Sequence, residues 1–224
     1  MTPLYEDNHI IIVNKEAGEI VQGDKTGDTP LSDIVKAYLK EKYAKPGDVF
    51  LGVVHRLDRP VSGIVVFAKT SKALTRLNEL FRKGEVHKTY HAIIPKVPHL
   101  AHTEKPVLLT HYLTRNEKQN KAFAFQKEVA GSKKATLDYQ LLSTNERYAL
   151  LEVNLHTGRH HQIRCQLATA LAPIKGDLKY GSPRSNPDGS ICLHARRVSF
   201  IHPVSRQEIS VVAPYPQFPL WGKF

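Results

Sequence analysis

The chain has 224 residues, 41% of them hydrophobic, and a formal net charge of +11 at neutral pH. This composition supports a folded core and excludes a disordered protein, and no run approaches the ~18 apolar residues of a membrane-spanning helix. The first residues lack the regions of a signal peptide, and Cys165 and Cys192 form no C-x-x-C pair, so we expect a cytoplasmic protein without a disulfide framework or structural zinc.

The first part of the chain alternates apolar runs with turn signals. Residues 9–14 are typical of a strand, and a helix is expected to begin with Thr29 as its N-cap and Pro30 as its first residue. The buried face of that helix would consist of Leu31, Ile34, Val35, Tyr38 and Leu39. Two apolar runs, 50–54 and 64–68, then predict buried strands on either side of a charged loop.

A second helix is expected after this loop, with Ser71 as its cap, an end near Lys83 and a stop at Gly84. Further strands are expected at residues 86–94, 135–142, 148–155, 193–201 and 208–212, with a strand-like, basic stretch at 107–129 that contains a hairpin at 115–121. Thr157 and Gly158 would open a third helix that continues through residues 160–170.

Strands outnumber helices in this reading, and the spacing between strands is that of hairpins. The sequence therefore predicts an α+β fold with a mostly antiparallel or mixed central sheet flanked by helices and loops. No linker divides the chain, so residues 1–224 are expected to form a single domain, and nothing in the sequence demands more than a monomer.

The charged loop between the two buried runs is the most distinctive motif, and it reads His55-Arg56-Leu57-Asp58-Arg59-Pro60-Val61-Ser62-Gly63. Asp58 lies between two arginines, and nearby positive charge favours the ionised carboxylate. An ionised carboxylate suits a nucleophile or an electrostatic stabiliser better than a general acid. The alternative is a solvated turn with incidental charge pairs.

Two other segments add candidate site residues. The segment Thr157–Arg164 combines histidines and arginines where a strand leads into a helix, and a helix N-terminus favours anions. Arg159 is placed there for a phosphate, and Arg164 for a forked ion pair with Asp58. Taken alone, this segment is equally typical of a solvated helix end. Tyr90, in a strand of core residues, is by itself typical of a core aromatic.

Several classes of chemistry are excluded by missing motifs. The chain has twelve histidines but no H-E-x-x-H pattern and no Cys/His spacing of a zinc site. Gly-rich phosphate loops and the G-x-S-x-G elbow of serine hydrolases are also absent. What remains is a site centred on a carboxylate, with no metal and no cofactor expected.

The distribution of charge indicates the kind of partner. Residues 1–35 carry a net charge of −5, residues 36–158 carry +10, and residues 159–206 carry +6. A basic body with an acidic leading edge favours a polyanionic partner, most often nucleic acid, over a membrane surface. Ordinary solubility charge is the alternative reading.

Taken together, these motifs resemble those of one family. The segment 55–63 is similar to the H-R-L-D-x-x-[ST]-S-G motif of the RluA-type RNA pseudouridine synthases, residues 88–90 resemble its second motif, and residues 157–164 its third. The segments 173–181 and 193–195 resemble landmarks that follow in that family. Order and spacing agree from about residue 4 to 214. Two departures are Val61, where members often have Thr, and Gln166, where a His commonly follows the third motif.

The resemblance implies that the chain converts uridine within RNA, either ribosomal or transfer RNA, to pseudouridine without a cofactor. It implies that Asp58 is the catalytic carboxylate, that Arg164 pairs with Asp58, and that Tyr90 stacks on the uracil. Arg56 would fill the space that the target base leaves. The other residues expected to bind the RNA are His55, Arg59, Lys88, Arg159 and His161.

The small N-terminal RNA-binding module of many relatives is not expected in this chain. Two other functions stay open from the sequence. One is a catalytically silent RNA-binding protein that retains the fold. The other is a metal-independent glycosylase, which would release free uracil.

Overall fold

The structure is a computed structural model that describes residues 1–98, 100 and 105–224. The helices of this part of the chain span Leu31–Lys42 (α1), Ser71–Lys83 (α2) and Gln162–Ala170 (α3). Its strands span Tyr5–Glu6 (β1), Ile10–Lys15 (β2), Gly52–Val53 (β3), Ser62–Ala68 (β4), His87–Pro95 (β5), Val107–Asn116 (β6), Lys121–Phe125 (β7), Lys133–Thr144 (β8), Tyr148–Leu155 (β9), Leu193–Ile201 (β10) and Glu208–Val212 (β11).

The chain folds into two compact units. The first unit comprises Met1–Val86 and Ala195–Pro216, and the second comprises His87–His194 and Gln217–Phe224. The two strands expected at 193–201 and 208–212 are confirmed with those bounds, and the expected hairpin at 115–121 is the turn between β6 and β7.

The first unit is built on strands that are buried on both faces. β2 lies between β1 and β4, antiparallel to both, and β10 follows on the other side of β4. All of Ile10, Ile11, Ile12 and Val13 are at most 1% exposed, which explains why β2 reads as a continuous apolar run rather than an alternating one. Ala73 and Leu77 of α2 pack into the same core.

The start of α1 differs from the prediction by one residue. Pro30, not Thr29, is the N-cap, and its backbone is extended at φ −75° and ψ 153°. The first helical N–H groups, those of Leu31 and Ser32, donate to the carbonyls of Ile20 and Val21 at 2.7 and 3.1 Å. Backbone carbonyls therefore satisfy the donors that a capping side chain usually satisfies.

The buried face of α1 is narrower than expected. Leu31, Val35 and Leu39 are buried, whereas Ile34 is 37% exposed and Tyr38 is half-buried. The three buried residues follow the spacing of one helical stripe, and the other two lie beside it.

α2 has the predicted length, but its cap is Thr70 rather than Ser71. The Thr70 hydroxyl accepts the backbone N–H of Ala73 at 3.1 Å, so Ser71 becomes the first helical residue. Gly84 ends the helix in the left-handed conformation at φ +75°, as predicted.

The second unit is an antiparallel sheet covered on one face by α3. Its strands lie side by side in the order β5, β9, β8, β6 and β7, and each neighbouring pair is antiparallel. Leu113, Ala122 and Ala135 of this sheet pack against Cys165 of α3. The predicted α+β class with a mostly antiparallel sheet is confirmed. None of the described helices has the length and apolar composition needed to cross a bilayer.

Candidate active site

Asp58 lies in the first unit, on the loop that joins β3 to β4. Leu57 and Val61, on either side of it, are 9% and 2% exposed and anchor the loop in the core. The backbone N–H of Val61 donates to the Asp58 carbonyl at 3.0 Å and closes a tight turn around Arg59 and Pro60. The carboxylate-bearing residue is therefore held on a short, constrained turn between two strands.

Lys15, the last residue of β2, braces this turn from inside the unit. Its side chain is fully buried, and Nζ donates to the carbonyls of Glu16, Arg59 and Val61 at 2.8, 3.1 and 2.7 Å. All three donors of the ammonium are thereby used. A sequence reading assigns a lysine after an apolar strand to solvent, so this residue was missed.

The burial of Lys15 has an electrostatic consequence. Removal from water lowers the pKa of its ammonium to about 8, while the negative charges of Glu19, Asp58 and Glu16 oppose that shift. The Asp58 carboxylate therefore interacts with a buried cation of its own unit.

Gly63, at the end of the loop motif, is required by close packing. Its φ is +115°, and a Cβ built there would lie 2.4 and 2.5 Å from the backbone O and N of Ala195 in β10. Only glycine allows both this conformation and this contact. The glycine of the motif is thus explained by the close approach of β4 and β10.

The other charged residues of the loop have different environments. His55 accepts the backbone N–H of Val66 at its Nε2 (3.0 Å) and stacks on Phe81 of α2 with ring centroids 4.9 Å apart. Arg56 is exposed. Arg59 is held by a polar loop through Asp28 at 2.5 Å and Thr26 at 2.8 Å.

Tyr90 and Lys88 lie in the second unit on β5. Tyr90 is 8% exposed and pairs with Val153 of β9. Burial lowers the pKa of Lys88, and a Cβ added at Gly158 would lie 3.7 Å from the Lys88 Nζ. The second motif therefore lies against the first residues of the third.

The third motif begins as a closed loop rather than as a helix. The Gln162 Oε1 accepts from the Thr157 hydroxyl at 2.8 Å and from the Arg159 N–H at 3.0 Å, and its Nε2 donates to the Thr136 carbonyl at 3.1 Å. Arg159 is exposed, and its Nε donates to the Lys134 carbonyl at 3.2 Å. The expected opening of α3 at Thr157 is wrong, because this glutamine folds the segment back on β8.

His161 is the residue at which the loop ends and α3 begins. It adopts the left-handed conformation at φ 51°, and its ring stacks on that of His160 with centroids 3.8 Å apart. Both imidazoles therefore precede the helix. The His161 Nδ1 lies 2.9 Å from the Tyr180 hydroxyl, which also accepts the N–H of Ala122 at 2.9 Å.

Arg164, in the first turn of α3, is held by a carboxylate that sequence reasoning did not place in the site. Its Nε and one terminal nitrogen donate to the two oxygens of Asp177 at 2.7 and 2.8 Å. Arg164 is 5% exposed and Asp177 is 1% exposed. A buried, two-pronged ion pair fixes the plane of the guanidinium.

The loop that presents Asp177 is anchored to β5. Ile93 donates its N–H to the Cys192 carbonyl and accepts that of Lys175, both at 2.9 Å. Gly176 has φ +93°, and a Cβ there would lie 2.7 Å from the Ser190 carbonyl. Asp177 lies within the Gly-Asp pair of a family landmark, and that pair was the one available sequence signal.

Gln166, one of the two departures from the family pattern, is fully buried. Its Nε2 lies 3.0 Å from His111 Nδ1 and 3.3 Å from the Leu109 carbonyl, and burial lowers the pKa of His111. The amide therefore has a packing role under the sheet. Val61, the other departure, is buried, and its carbonyl accepts from Lys15, a bond that any residue at this position can form.

The structure thus builds two sets of site residues, each within one unit. The first holds Asp58 on the turn braced by Lys15. The second gathers Arg164, Asp177 and His161 around the start of α3, with Tyr90 and Lys88 on β5.

Comparison with known proteins identifies the family. The family model described as RNA pseudouridylate synthase matches residues 9–169, a stretch that includes Asp58, Tyr90 and Arg164. This chain belongs to the RNA pseudouridylate synthase family, and the resemblance indicated by its motifs is confirmed.

Among curated relatives, the chain is 32% identical over 228 residues to a ribosomal large subunit pseudouridine synthase D of Xylella fastidiosa. The match covers 96% of this chain and 66% of that relative. A tRNA pseudouridine synthase C of Vibrio vulnificus is 29% identical over 94% of this chain and 89% of its own length. The chain thus spans just under two thirds of the length of the first relative.

Solved structures show the same fold. Human RNA pseudouridylate synthase domain containing 4 superimposes with a TM-score of 0.77 and 24% identity, over 97% of this chain and 90% of its own. Human RNA pseudouridylate synthase domain containing 1 superimposes with a TM-score of 0.71 and 21% identity, over 98% of this chain and 85% of its own.

Proposed function

We propose that this chain isomerises uridine in structured RNA to pseudouridine and that its 224 residues act as one catalytic domain. The observation that carries the proposal is the family match, because it includes all three candidate catalytic residues. In the reaction the N1–C1′ bond breaks, the uracil turns over, C5 bonds to C1′, and the proton on C5 is lost while N1 gains one. No atom is imported, so the chemistry needs no cofactor.

Asp58 is the catalytic carboxylate in this proposal. An anionic carboxylate acts as a nucleophile or stabiliser at an electron-poor sugar carbon, as it does in glycosidases. Two features support this role for Asp58: the turn is anchored by buried neighbours, and Lys15 is a nearby cation. A rigid turn keeps the carboxylate ready without the cost of ordering it at each turnover.

Tyr90 and Arg164 complete the proposed catalytic set. Tyr90 is 8% exposed on β5, and stacking on the uracil is the role we assign to it. Arg164 presents a guanidinium whose plane is fixed by Asp177.

The RNA is bound through the basic residues. Arg56 and Arg159 are exposed and suited to phosphates, and Arg56 also suits the space left by a target base that leaves its stack, a step that costs about a few kcal/mol. Lys88 and His161 contribute from the second unit. Arg59 would leave its ion pair with Asp28 to bind a phosphate. His55 contributes indirectly, because its hydrogen bond to Val66 holds the loop that carries Asp58.

We propose ribosomal or transfer RNA as the substrate and the cytoplasm as the place of reaction. The support is that one relative is named as a ribosomal large subunit pseudouridine synthase and another as a tRNA pseudouridine synthase. The distribution of positive charge beyond residue 35 favours a polyanionic partner of this kind.

The test compares RNA from cells with and without the gene, with pseudouridines mapped by carbodiimide labelling and reverse-transcriptase stops. Sites that vanish without the gene should return when the wild-type protein is supplied, but not when Asp58→Asn is supplied. The control is Asp48→Asn, which changes an exposed carboxylate ten residues earlier in the chain and should restore the sites. Binding of the same RNA by Asp58→Asn should stay close to that of the wild type.

Other outcomes would identify the rival functions. Release of free uracil from RNA by the purified protein would indicate a glycosylase. Tight RNA binding with every pseudouridine retained in the deleted strain, and none formed by the purified protein, would indicate a silent binder. Full activity of Asp58→Asn would refute the assignment of the catalytic carboxylate.

A further inference from the structure

The face of the second unit's sheet that points away from α3 carries aromatic side chains. In antiparallel strands, directly paired residues share a face. Tyr112 of β6 pairs with Phe125 of β7 and with Lys134 of β8. The next pairs along β7 are Phe123 with Thr114 and Lys121 with Asn116, on the same face. The five residues Tyr112, Lys121, Phe123, Phe125 and Lys134 are called the aromatic face below.

The other side of these strands forms the local core with α3. Leu113 and Ala122 alternate with the aromatic residues and are 5% and 2% exposed, packed toward Cys165 of α3. Phe123 and Phe125 are each 39% exposed although phenylalanine is usually buried. Two phenylalanines and a half-buried tyrosine on one strand pair form a contiguous patch, and such patches mark binding surfaces.

Positive charge surrounds these rings. Lys134 is the direct neighbour of Tyr112, and the Lys121 Nζ lies 5.6 Å from the centroid of the Phe123 ring and 5.1 Å from that of Tyr180. Arg159, from the third motif, reaches the same strand and donates to the Lys134 carbonyl at 3.2 Å. The stretch 107–134 contains six basic and two acidic residues, a net charge of +4.

This combination of rings and cations matches one kind of partner. Unpaired bases stack on aromatic side chains, and the backbone phosphates that accompany them bind lysine and arginine. A second copy of the chain would bring the same positive charge to the patch and be repelled, and an apolar protein segment would leave the cations unmatched. Charge complementarity therefore selects a polyanion with aromatic rings.

We propose that the aromatic face binds an unpaired stretch of the substrate RNA by stacking bases on Phe123 and Phe125. The strand register puts Tyr90 on the opposite face of the sheet, so the bound stretch is separate from the nucleotide that stacks on Tyr90. This inference rests on the proposed function and gives it a substrate requirement. Residues two apart on a strand are roughly 7 Å apart, which leaves room for one base on each ring. Lys134, which is exposed beside Tyr112, binds a backbone phosphate.

The first arm of the test measures binding of a labelled single-stranded oligouridylate by fluorescence anisotropy. Stacking is worth about 1–3 kcal/mol per base, so Phe123→Leu with Phe125→Leu should weaken binding by at least about tenfold. Phe123→Tyr with Phe125→Tyr keeps both π faces and should retain the wild-type affinity. Phe50→Leu, which changes a 47%-exposed phenylalanine of the first unit, is the matched control. Thermal unfolding should be alike in all four proteins.

The second arm measures pseudouridine formation on a stem-loop RNA with and without unpaired flanking nucleotides. The leucine double variant should lose the advantage that the flanks give the wild type, while keeping its rate on the RNA without flanks. Unchanged oligouridylate affinity in that variant overturns the proposal. So does a change confined to a dimer equilibrium measured by sedimentation. If no RNA is modified by the wild-type protein, the proposed function fails, and the binding arm still decides the aromatic face.

Discussion

Replacing Lys15 by methionine tests the role of the buried ammonium, because methionine keeps the length of the side chain and removes its three donors. Hydrogen bonds from charged groups contribute about 1.5–3 kcal/mol each, so the three bonds are worth at least about 5 kcal/mol together. The cost of burying the charge acts in the other direction. The pKa falls from its ordinary value of 10.5 to about 8, which corresponds to about 3 kcal/mol. The free energy of unfolding of Lys15→Met at pH 7 should therefore be lower than that of the wild type by about 2–6 kcal/mol.

The pH dependence of this difference is the sharper measurement. Between pH 8 and 10.5 the unfolded lysine keeps a proton that the folded one has lost, so wild-type stability rises with pH across this window. The methionine variant lacks that contribution. The difference in unfolding free energy should therefore grow by about 3 kcal/mol from pH 8 to 10.5, as measured by urea titration at several pH values.

The same variant should also be slower in catalysis. The turn that carries Asp58 loses the bonds to the carbonyls of Arg59 and Val61, so kcat should fall by about tenfold or more while the KM for RNA changes little. A stability difference that stays flat between pH 8 and 10.5 would refute the buried-ammonium argument. A variant with wild-type kcat would refute the positioning role.

Three further changes test other parts of the site and the core. Asp177→Asn removes the negative charge from a buried ion pair. The free energy of unfolding should fall by about 2–4 kcal/mol, and kcat should fall while RNA affinity is retained. A kcat equal to that of the wild type would show that the orientation of Arg164 does not depend on this charge. Gly63→Ala places a Cβ against the backbone of Ala195 and should lower the free energy of unfolding by more than about 3 kcal/mol in chemical denaturation. Gly47→Ala, at a position with open space around it, should change that free energy little. Similar values for the two variants would contradict the packing argument. Burial raises the pKa of Glu6, but hydrogen bonds from Lys42, Lys69 and Tyr43 outweigh it and lower the pKa to about 2. The carboxylate therefore stabilises the fold above pH 4.5 and loses that effect as pH falls toward 2; the loss should reach about 1–3 kcal/mol in acid denaturation and be missing in Glu6→Gln.

Local signals predicted the elements well and their ends less well. The strands and helices follow from apolar periodicity, which depends only on neighbours in the chain. The cap of α1 could not be predicted, because its donors are satisfied by Ile20 and Val21 through a fold of the preceding loop. The start of α3 was misplaced for a similar reason, since Gln162 bonds to Thr136 on another strand.

In the candidate site, too, the features that are local in the sequence were predicted and those that depend on distant residues were not. The motif around Asp58 is contiguous in sequence, so it was visible as a pattern of charge. Lys15 is separated from Val61 by 46 residues, and Arg164 from Asp177 by 13. Such pairs are set by tertiary packing, and a single sequence contains no record of which distant residues meet. The exposure of Phe123 and Phe125 was equally hidden, because alternation alone does not say which face of a hairpin is covered.

One phenol links two parts of the second unit that lie far apart in the sequence. Tyr180 accepts the N–H of Ala122 on β7 and contacts the His161 ring just before α3, while the Arg164 guanidinium lies 5.2 Å from the centre of its ring. Burial raises the pKa of Tyr180, so the hydroxyl keeps its proton at ordinary pH values. A displacement of β7 must therefore break this joint or pull on the residues around it. Tyr180 thus connects the β6–β7 hairpin directly to the helical turn that carries Arg164.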